Sequence, residues 1–311
     1  MLRSRVRVLI VLFSATLLFA QNDILNHVHG EMSFLASDAL RGRGSATHDE
    51  FVAASYVAAQ FQSFGLEDAE VQRVPLDASN ANSSAATYNA SALLRGSDPK
   101  LAAQTILLSS HLDHLGARST PQGEVIYHGA DDDASGTTAV LELARALSSL
   151  PRRPRRSILF VCFGSEETGG QGDQYFLAHP PLPLASIVAN LEFEMIGQPD
   201  PAIRRDQLWL TGWERSDLGP ALAKHGAPLA ADPHPRQHFF QRSDNFALAR
   251  QGIIAQTVSS YGLGAHYHQP SDDLAHIDFQ HLTHAIEWMI APIQWLANTD
   301  WKPSWNPGGK P

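Results

Sequence analysis

Residues 104–136 read QTILLSSHLDHLGARSTPQGEVIYHGADDDASG, and the reading of this stretch decides the fold. Thr105, Ile106, Leu107 and Leu108 form an apolar run that leads straight into His111-Leu112-Asp113-His114. A short Gly-punctuated loop then ends in Asp131-Asp132-Asp133-Ala134-Ser135-Gly136, where a helical pattern begins. The reading is a buried strand closing on a histidine, then a loop closing on carboxylates at a helix start. Open α/β sheets place their ligand sites at such strand ends. Three adjacent Asp side chains repel one another at neutral pH unless something cationic is near. A metal ion is the simplest such partner, and its remaining ligands should lie elsewhere in the chain.

Working outward, apolar residues at helical spacing (Ile24, Val28, Met32, Leu35) predict a helix over 23–37, broken by Leu-Arg-Gly-Arg-Gly at 40–44. A second helix is predicted over 49–64, stopped by Gly65. Residues 77–103, rich in Ala, Ser and Asn, read as irregular strands or loop. Downstream, strands are predicted at 104–110, 157–163, 187–196, 207–211 and 253–258. Helices are predicted at 134–150, 173–179, 216–225, 243–250 and 278–298. This alternation implies a largely parallel sheet with helices on both faces. No internal repeat and no long linker divides the chain. The basic run Pro151-Arg-Arg-Pro-Arg-Arg156 reads as a solvated helix-to-strand connection.

The 311 residues are 43% apolar, enough to build a full core and to set aside global disorder. The net charge of −9 argues against nucleic acid or an anionic membrane as main partner. At the N-terminus, MLRSRVRVLIVLFSATLLFA carries Arg3, Arg5 and Arg7, then a short apolar run over 8–18, then the small Ala20. This pattern predicts a secretory signal peptide over 1–20 and a secreted or periplasmic mature protein. Residues 21–311 are then expected to form a single catalytic domain. No later apolar run approaches membrane length, so stable membrane insertion after cleavage is not expected. The single Cys162 cannot form an internal disulfide, and its apolar flanks make it a small core residue.

Acidic or imidazole residues recur at successive strand ends: His111, then Asp132 across the loop, Glu166 and Glu167, Glu194, and His268. Carboxylates mixed with imidazoles, without thiolates, suit a hydrolytic zinc site better than a structural one. The candidates are too many for one open tetrahedral ion, whereas two ions sharing a bridging carboxylate would use them all. The residues themselves leave alternatives open. Any of Asp131, Asp132 and Asp133 could be the ligand; Glu192 and Glu194 share a strand face, as do His266 and His268. His114 reads as structural or rim-lining. Trp213, Phe239, Phe240 and Tyr261 read either as an apolar pocket or as packing. Ser243 reads equally as a pocket residue or a helix cap.

In chain order, SSHLDHLG (109–116), GADDDASGTTAVLELAR (129–145), GSEETGGQGDQYF (164–176), EFEMIG (192–197) and HYHQPSDD (266–273) resemble segments of the M28 family of zinc aminopeptidases. The resemblance covers roughly residues 100–300, and it is the ordered set that is specific. It implies a three-layer α/β/α sandwich with a mostly parallel mixed sheet, of the phosphorylase/hydrolase-like zinc exopeptidase type. It implies two zinc ions per chain: His111 and Glu194 on one, Glu167 and His268 on the other, Asp132 bridging. Glu166 matches the general base and Asp113 a catalytic partner of His111, while Asp133 is left to cap the following helix. Most relatives carry Asp where this chain has Glu194. The implied activity is zinc-dependent hydrolysis of the first peptide bond of peptides with a free N-terminus, by a hydroxide held between the zincs. The rival implied by the same fold is a single-zinc, glutaminyl cyclase-like aminoacyltransferase, which needs only Asp132, Glu167 and His268. A non-catalytic binding module is disfavoured, because base and ligands are all present.

Overall fold

Four neighbouring parallel strands carry the molecule. In the computed structural model, which describes residues 23–76, 85–261 and 264–311, they are β3 (Thr105–His111), β6 (Ser157–Phe163), β7 (Ile187–Phe193) and β10 (Ala255–Ser259). Every residue of β3 and β6 is buried, as expected of strands covered on both faces. Side chains alternate between the two sides. Ile106 and Leu108 join one apolar cluster with Ile158 and Phe160, while Leu107 joins the other with Leu159 and Val161. Burying each such side chain fully contributes about 1.5–3 kcal/mol.

The full sheet runs β1-β2-β6-β3-β7-β10-β8-β9. Here β1 is Glu67–Pro75, β2 Ala86–Leu94, β8 Leu208–Leu210 and β9 Leu229–Ala231. The β1–β2, β2–β6 and β10–β8 pairings are antiparallel and the others parallel. One face is covered by α1 (23–35), α2 (His48–Ser63), α3 (Gly136–Ser148), α5 (Leu218–Lys224) and α7 (Phe279–Asn298). The other is covered by α4 (Gln171–Ala178) and α6 (Asn245–Arg250). This is the expected three-layer α/β/α sandwich.

Two expectations are corrected. The stretch read as irregular contains β2, a regular strand paired to β6 from Ala90 to Leu94, preceded by the unforeseen edge strand β1. The loop after His114 holds a hairpin of β4 (Gly116–Thr120) and β5 (Gly123–Tyr127). The predicted signal peptide lies outside the described residues. Among those described, no helix is long and apolar enough to cross a membrane.

The start of α2 ties this frame to the site. Thr47 Oγ1 accepts the Glu50 N–H at 3.2 Å, and Glu50 Oε2 reaches back to the Ala46 N–H at 2.6 Å. This is a variant of the reciprocal capping box. The other Glu50 oxygen takes the Thr87 hydroxyl of β2, so one buried carboxyl locks helix to sheet. Burial, reinforced by Asp113, pushes its pKa up to about 8.

Candidate metal centre

The candidate ligands all emerge at the carboxyl ends of the central strands. His111 is the last residue of β3 and Glu194 immediately follows β7. Glu166 and Glu167 follow the turn after β6, and His268 lies in the loop beyond β10. Ligand atoms of His111, Asp132 and Glu194 all lie within 4.8 Å of one another, and so do those of His114, Asp132 and Glu167. His268 joins the second group: its Nε2 is 3.2 Å from Asp132 Oδ2 and 3.1 Å from Glu167 Oε2. Asp132 is therefore common to both groups, with its two oxygens turned to opposite sides.

The triple-Asp segment divides its labour by backbone geometry. Asp133 Oδ1 accepts the Gly136 N–H at 2.9 Å, capping α3, and the Met195 N–H at 3.2 Å; its other oxygen takes the His111 N–H. Asp131 Oδ1 accepts the Gly197 N–H at 2.7 Å. Only the middle side chain faces the cluster. Its backbone is held from outside, because the Asp272 carboxylate accepts the N–H groups of both Asp131 and Asp132, at 2.8 and 3.1 Å. A side chain on Gly129, whose φ is 60°, would run into the His114 ring and the Asp132 carbonyl, so this turn requires glycine.

The other paired candidates are also told apart. Glu192 is turned away: its Oε2 accepts the Asn245 N–H at 2.6 Å. The Ser243 hydroxyl caps no N–H of α6 among the described residues. His266 bonds Ser271 through Nδ1 at 2.9 Å and packs its ring at a tilt against His276, outside the cluster. His114 is not on the rim. It is 1% exposed, with Nδ1 2.8 Å from Glu167 Oε1.

Asp113 touches more than its own neighbour. The His111 Nδ1 lies 3.1 Å from the Asp113 backbone oxygen, while the carboxylate accepts the Glu166 N–H at 3.0 Å and the Ser45 hydroxyl. Sequence reasoning missed Arg43 entirely. Its guanidinium is buried and donates to the carbonyls of Leu35, Leu112, His128 and Gly129 at 2.6–2.9 Å. It thereby joins the end of α1, the turn between His111 and Asp113, and the turn before Asp131. The available signal was an arginine set between glycines directly after a helix.

The electrostatics suit a bound cation. Burial pushes the carboxyls of Asp131, Asp133 and Glu166 well above the usual range, and that of Glu194 up to about 7. Neighbouring carboxylates add to the burial effect: Asp272 acts on Asp131, and Glu194 acts on Asp133 and Glu166. His111 opposes it at Asp133, Glu166 and Glu194. Divalent charge among these groups would relieve the repulsion. The buried Nε2 atoms of His111 and His114 have no hydrogen-bond partner among the described residues, although His111 Nε2 stands 3.0 Å from Asp132 Oδ1. The unpartnered His111 Nε2 beside the shared Asp132 carboxylate, in a set of imidazoles and carboxylates with no thiol, fits zinc.

A recess opens beside Glu194, lined by Trp209, Phe239, Tyr261 and Tyr267 among others. Trp213 and Phe240 do not line it: Trp213 packs against the core and Phe240 is buried under Arg215.

The sandwich is shared with solved aminopeptidase structures. LapA of Legionella pneumophila superimposes with a TM-score of 0.68 at 19% identity, over 90% of this chain and 74% of that one. The chain belongs to peptidase family M28, whose pattern matches residues 89–293. It is 31% identical over 178 residues to leupeptin-inactivating enzyme 1 of Streptomyces exfoliatus, covering 57% of this chain and 37% of that protein. The chain spans well under half the length of the curated relatives it matches. A glutaminyl cyclase from Porphyromonas gingivalis has the same fold, with a TM-score of 0.63 at 19% identity, over 89% of this chain and 98% of that one.

Proposed function

We propose that this protein is an exported zinc aminopeptidase that removes the first residue of peptides with a free N-terminus. The observation that carries the reading is the common position of Asp132 in two groups of candidate ligands. His111 and Glu194 would hold one zinc and Glu167 and His268 the other, and Asp132 would serve both. His114 holds Glu167 from behind, as an outer partner that orients a ligand. When bound, the zinc pair supplies Lewis acidity, lowering the pKa of water and polarising the scissile carbonyl.

The protein's own residues do the rest. Glu166 accepts a proton from the attacking water; as the C–N bond breaks, it passes that proton to the leaving amine nitrogen. Asp113 is a positioning residue here: its carboxylate fixes the Glu166 backbone and its carbonyl faces the His111 ring. Residues 1–20 act as the export signal, and 21–311 form one catalytic domain around the single eight-stranded sheet.

The cyclase reading shares the fold and would need one zinc. His111 and Glu194 standing beside Asp132 favour two. The test combines metal analysis of the purified chain with release of chromogenic amino-acid amides. Two zincs and turnover are expected, while a folded, metal-loaded protein inert toward a broad panel of such amides refutes the aminopeptidase reading.

A further inference from the structure

The recess beside Glu194 has a charge pattern that the general reading does not use. Its floor is neutral: Trp209, Thr211 and Ser259 are all nearly fully buried. Thr211 Oγ1 accepts the Thr257 N–H at 2.8 Å, and its own O–H is committed to no described acceptor. At the mouth stands Arg242. Its guanidinium lies 5.3 Å from the Phe239 ring centre and 6.0 Å from that of Tyr267, and its Nη2 is 3.4 Å from the Tyr267 hydroxyl. Tyr267 in turn stacks on the candidate ligand His268, with ring centres 3.8 Å apart.

Several arginines, Arg118, Arg236 and Arg250 among them, have no carboxylate within ion-pair distance among the described residues, and Arg242 is set apart by its place in the lining of the recess. Arg41, Arg95, Arg145, Arg155, Arg204 and Arg205 each meet a carboxylate within ion-pair distance, whereas no described carboxylate lies that close to Arg242. In a chain of net charge −9, a cation left without an acidic partner beside a recess is a feature to be explained. Among the described residues that line the recess, Glu194 is the only carboxylate. With Glu194 engaged by metal, the formal charge of the recess is that of Arg242 alone.

We propose that this recess is a carboxylate-binding subsite and that Arg242 is its specificity residue, favouring substrates that present a carboxylate next to the scissile bond. The proposal rests on the aminopeptidase reading for its place beside the reacting bond. Two sources fit the chemistry: the side chain of an N-terminal Asp or Glu, or the C-terminus of a dipeptide. The aromatic walls fix the guanidinium plane and leave its outer N–H groups for two parallel bonds to a carboxylate.

The experiment compares kcat/KM on close isosteres, using the metal-loaded full chain. Glu-p-nitroanilide is set against Gln-p-nitroanilide for the side-chain source, and Leu-Gly against Leu-Gly-amide for the C-terminal source. A preference of about five- to tenfold for the charged member of one pair is expected, because the site is partly open to solvent. The preferred pair identifies the source. Arg242→Gln is expected to bring the ratio to about one and Arg242→Lys to retain part of it. Arg242→Glu should turn the preference toward Lys-p-nitroanilide over Gln-p-nitroanilide, a gain that mere structural damage would not produce. A second readout needs no turnover: free glutamate or glycylglycine should raise the melting temperature more than glutamine or glycylglycinamide, and the difference should vanish in Arg242→Gln. Carboxylate-selective binding without hydrolysis of any amide would sink the aminopeptidase reading and support the subsite. Hydrolysis of neutral amides with ratios near one in both pairs, or ratios unmoved by Arg242→Gln, overturns the subsite and leaves that reading standing.

Discussion

Replacing Arg43 by methionine tests whether the N-terminal segment pins the metal-site loops. The change keeps an unbranched apolar stem and deletes four hydrogen bonds to carbonyls of three separate segments. A buried carbonyl left without a partner costs about 1–3 kcal/mol. The cation is also lost from beside Asp272, Asp133, Asp113 and Asp132, whose charges favour its protonated form. Against these losses, the variant no longer has to strip water from a guanidinium, the effect that lowers the pKa of Arg43 in the fold. Removing one member of a buried charged network typically leaves a net loss of about 3–5 kcal/mol. At roughly 2–4 °C per kcal/mol for a chain of this size, the melting temperature should fall by about 10 °C. Calorimetry of the metal-free protein measures this, and zinc titration should show affinity weakened by about 10–100-fold, as for outer-shell partners. Arg43→Lys, with charge but fewer donors and no planar fork, should recover only part. A methionine variant within about 1 kcal/mol of the parent, with unchanged zinc uptake, would refute the pinning role.

Four further outcomes are expected. Glu166→Gln should lower kcat by roughly 10²–10⁴ while zinc content stays at the parent level; zinc loss in step with activity would make Glu166 a ligand rather than the base. His111→Ala and His268→Ala should each lower the zinc content by about one ion, read by elemental analysis, and a full complement in either variant contradicts the assignment. Chelation should lower the melting temperature, since metal held at a hundred times its Kd contributes about 2.7 kcal/mol. His281 makes stability depend on pH. Burial lowers its pKa to about 4, with Asp278 opposing and Arg205 and His284 reinforcing. It folds neutral, with Nε2 3.0 Å from the Ser260 hydroxyl. Its contribution is therefore complete above about pH 6.5 and is lost as pH falls toward 4, on the order of 2–3 kcal/mol in all. Denaturant titrations of His281→Gln should show a flatter slope across that window, and an unchanged slope would assign the pH dependence to other groups.

The central strands were legible because they are buried on both faces, so Ile158 to Phe163 reads as unbroken apolar sequence. The candidate ligands stood out because strands of this kind carry ligand sites at their carboxyl ends. Legibility failed where tertiary pairing overrides local preference. β2 is built from small residues (Ala86, Ala90, Ala92) that favour no strand by themselves, and β6 supplies its register. Position alone also left His114 open between a structural place and the rim, because its contact with Glu167 comes from 53 residues further along the chain. Arg43 escaped notice because its value comes from carbonyls far along the chain, one of them 86 residues away. The glycines around it mark the position but not these distant partners.

The Asp272 carboxylate clasps the backbone of Asp131 and Asp132 across some 140 residues of sequence. The triple-Asp turn thus takes its final shape only when a segment beyond β10, which also supplies His268, has docked. A growing chain that has already made His111, Asp132 and Glu167 still lacks the latch that aims the middle aspartate. Removing that one segment would therefore take His268 and the Asp272 clasp away together, leaving the middle aspartate without the hold that aims it.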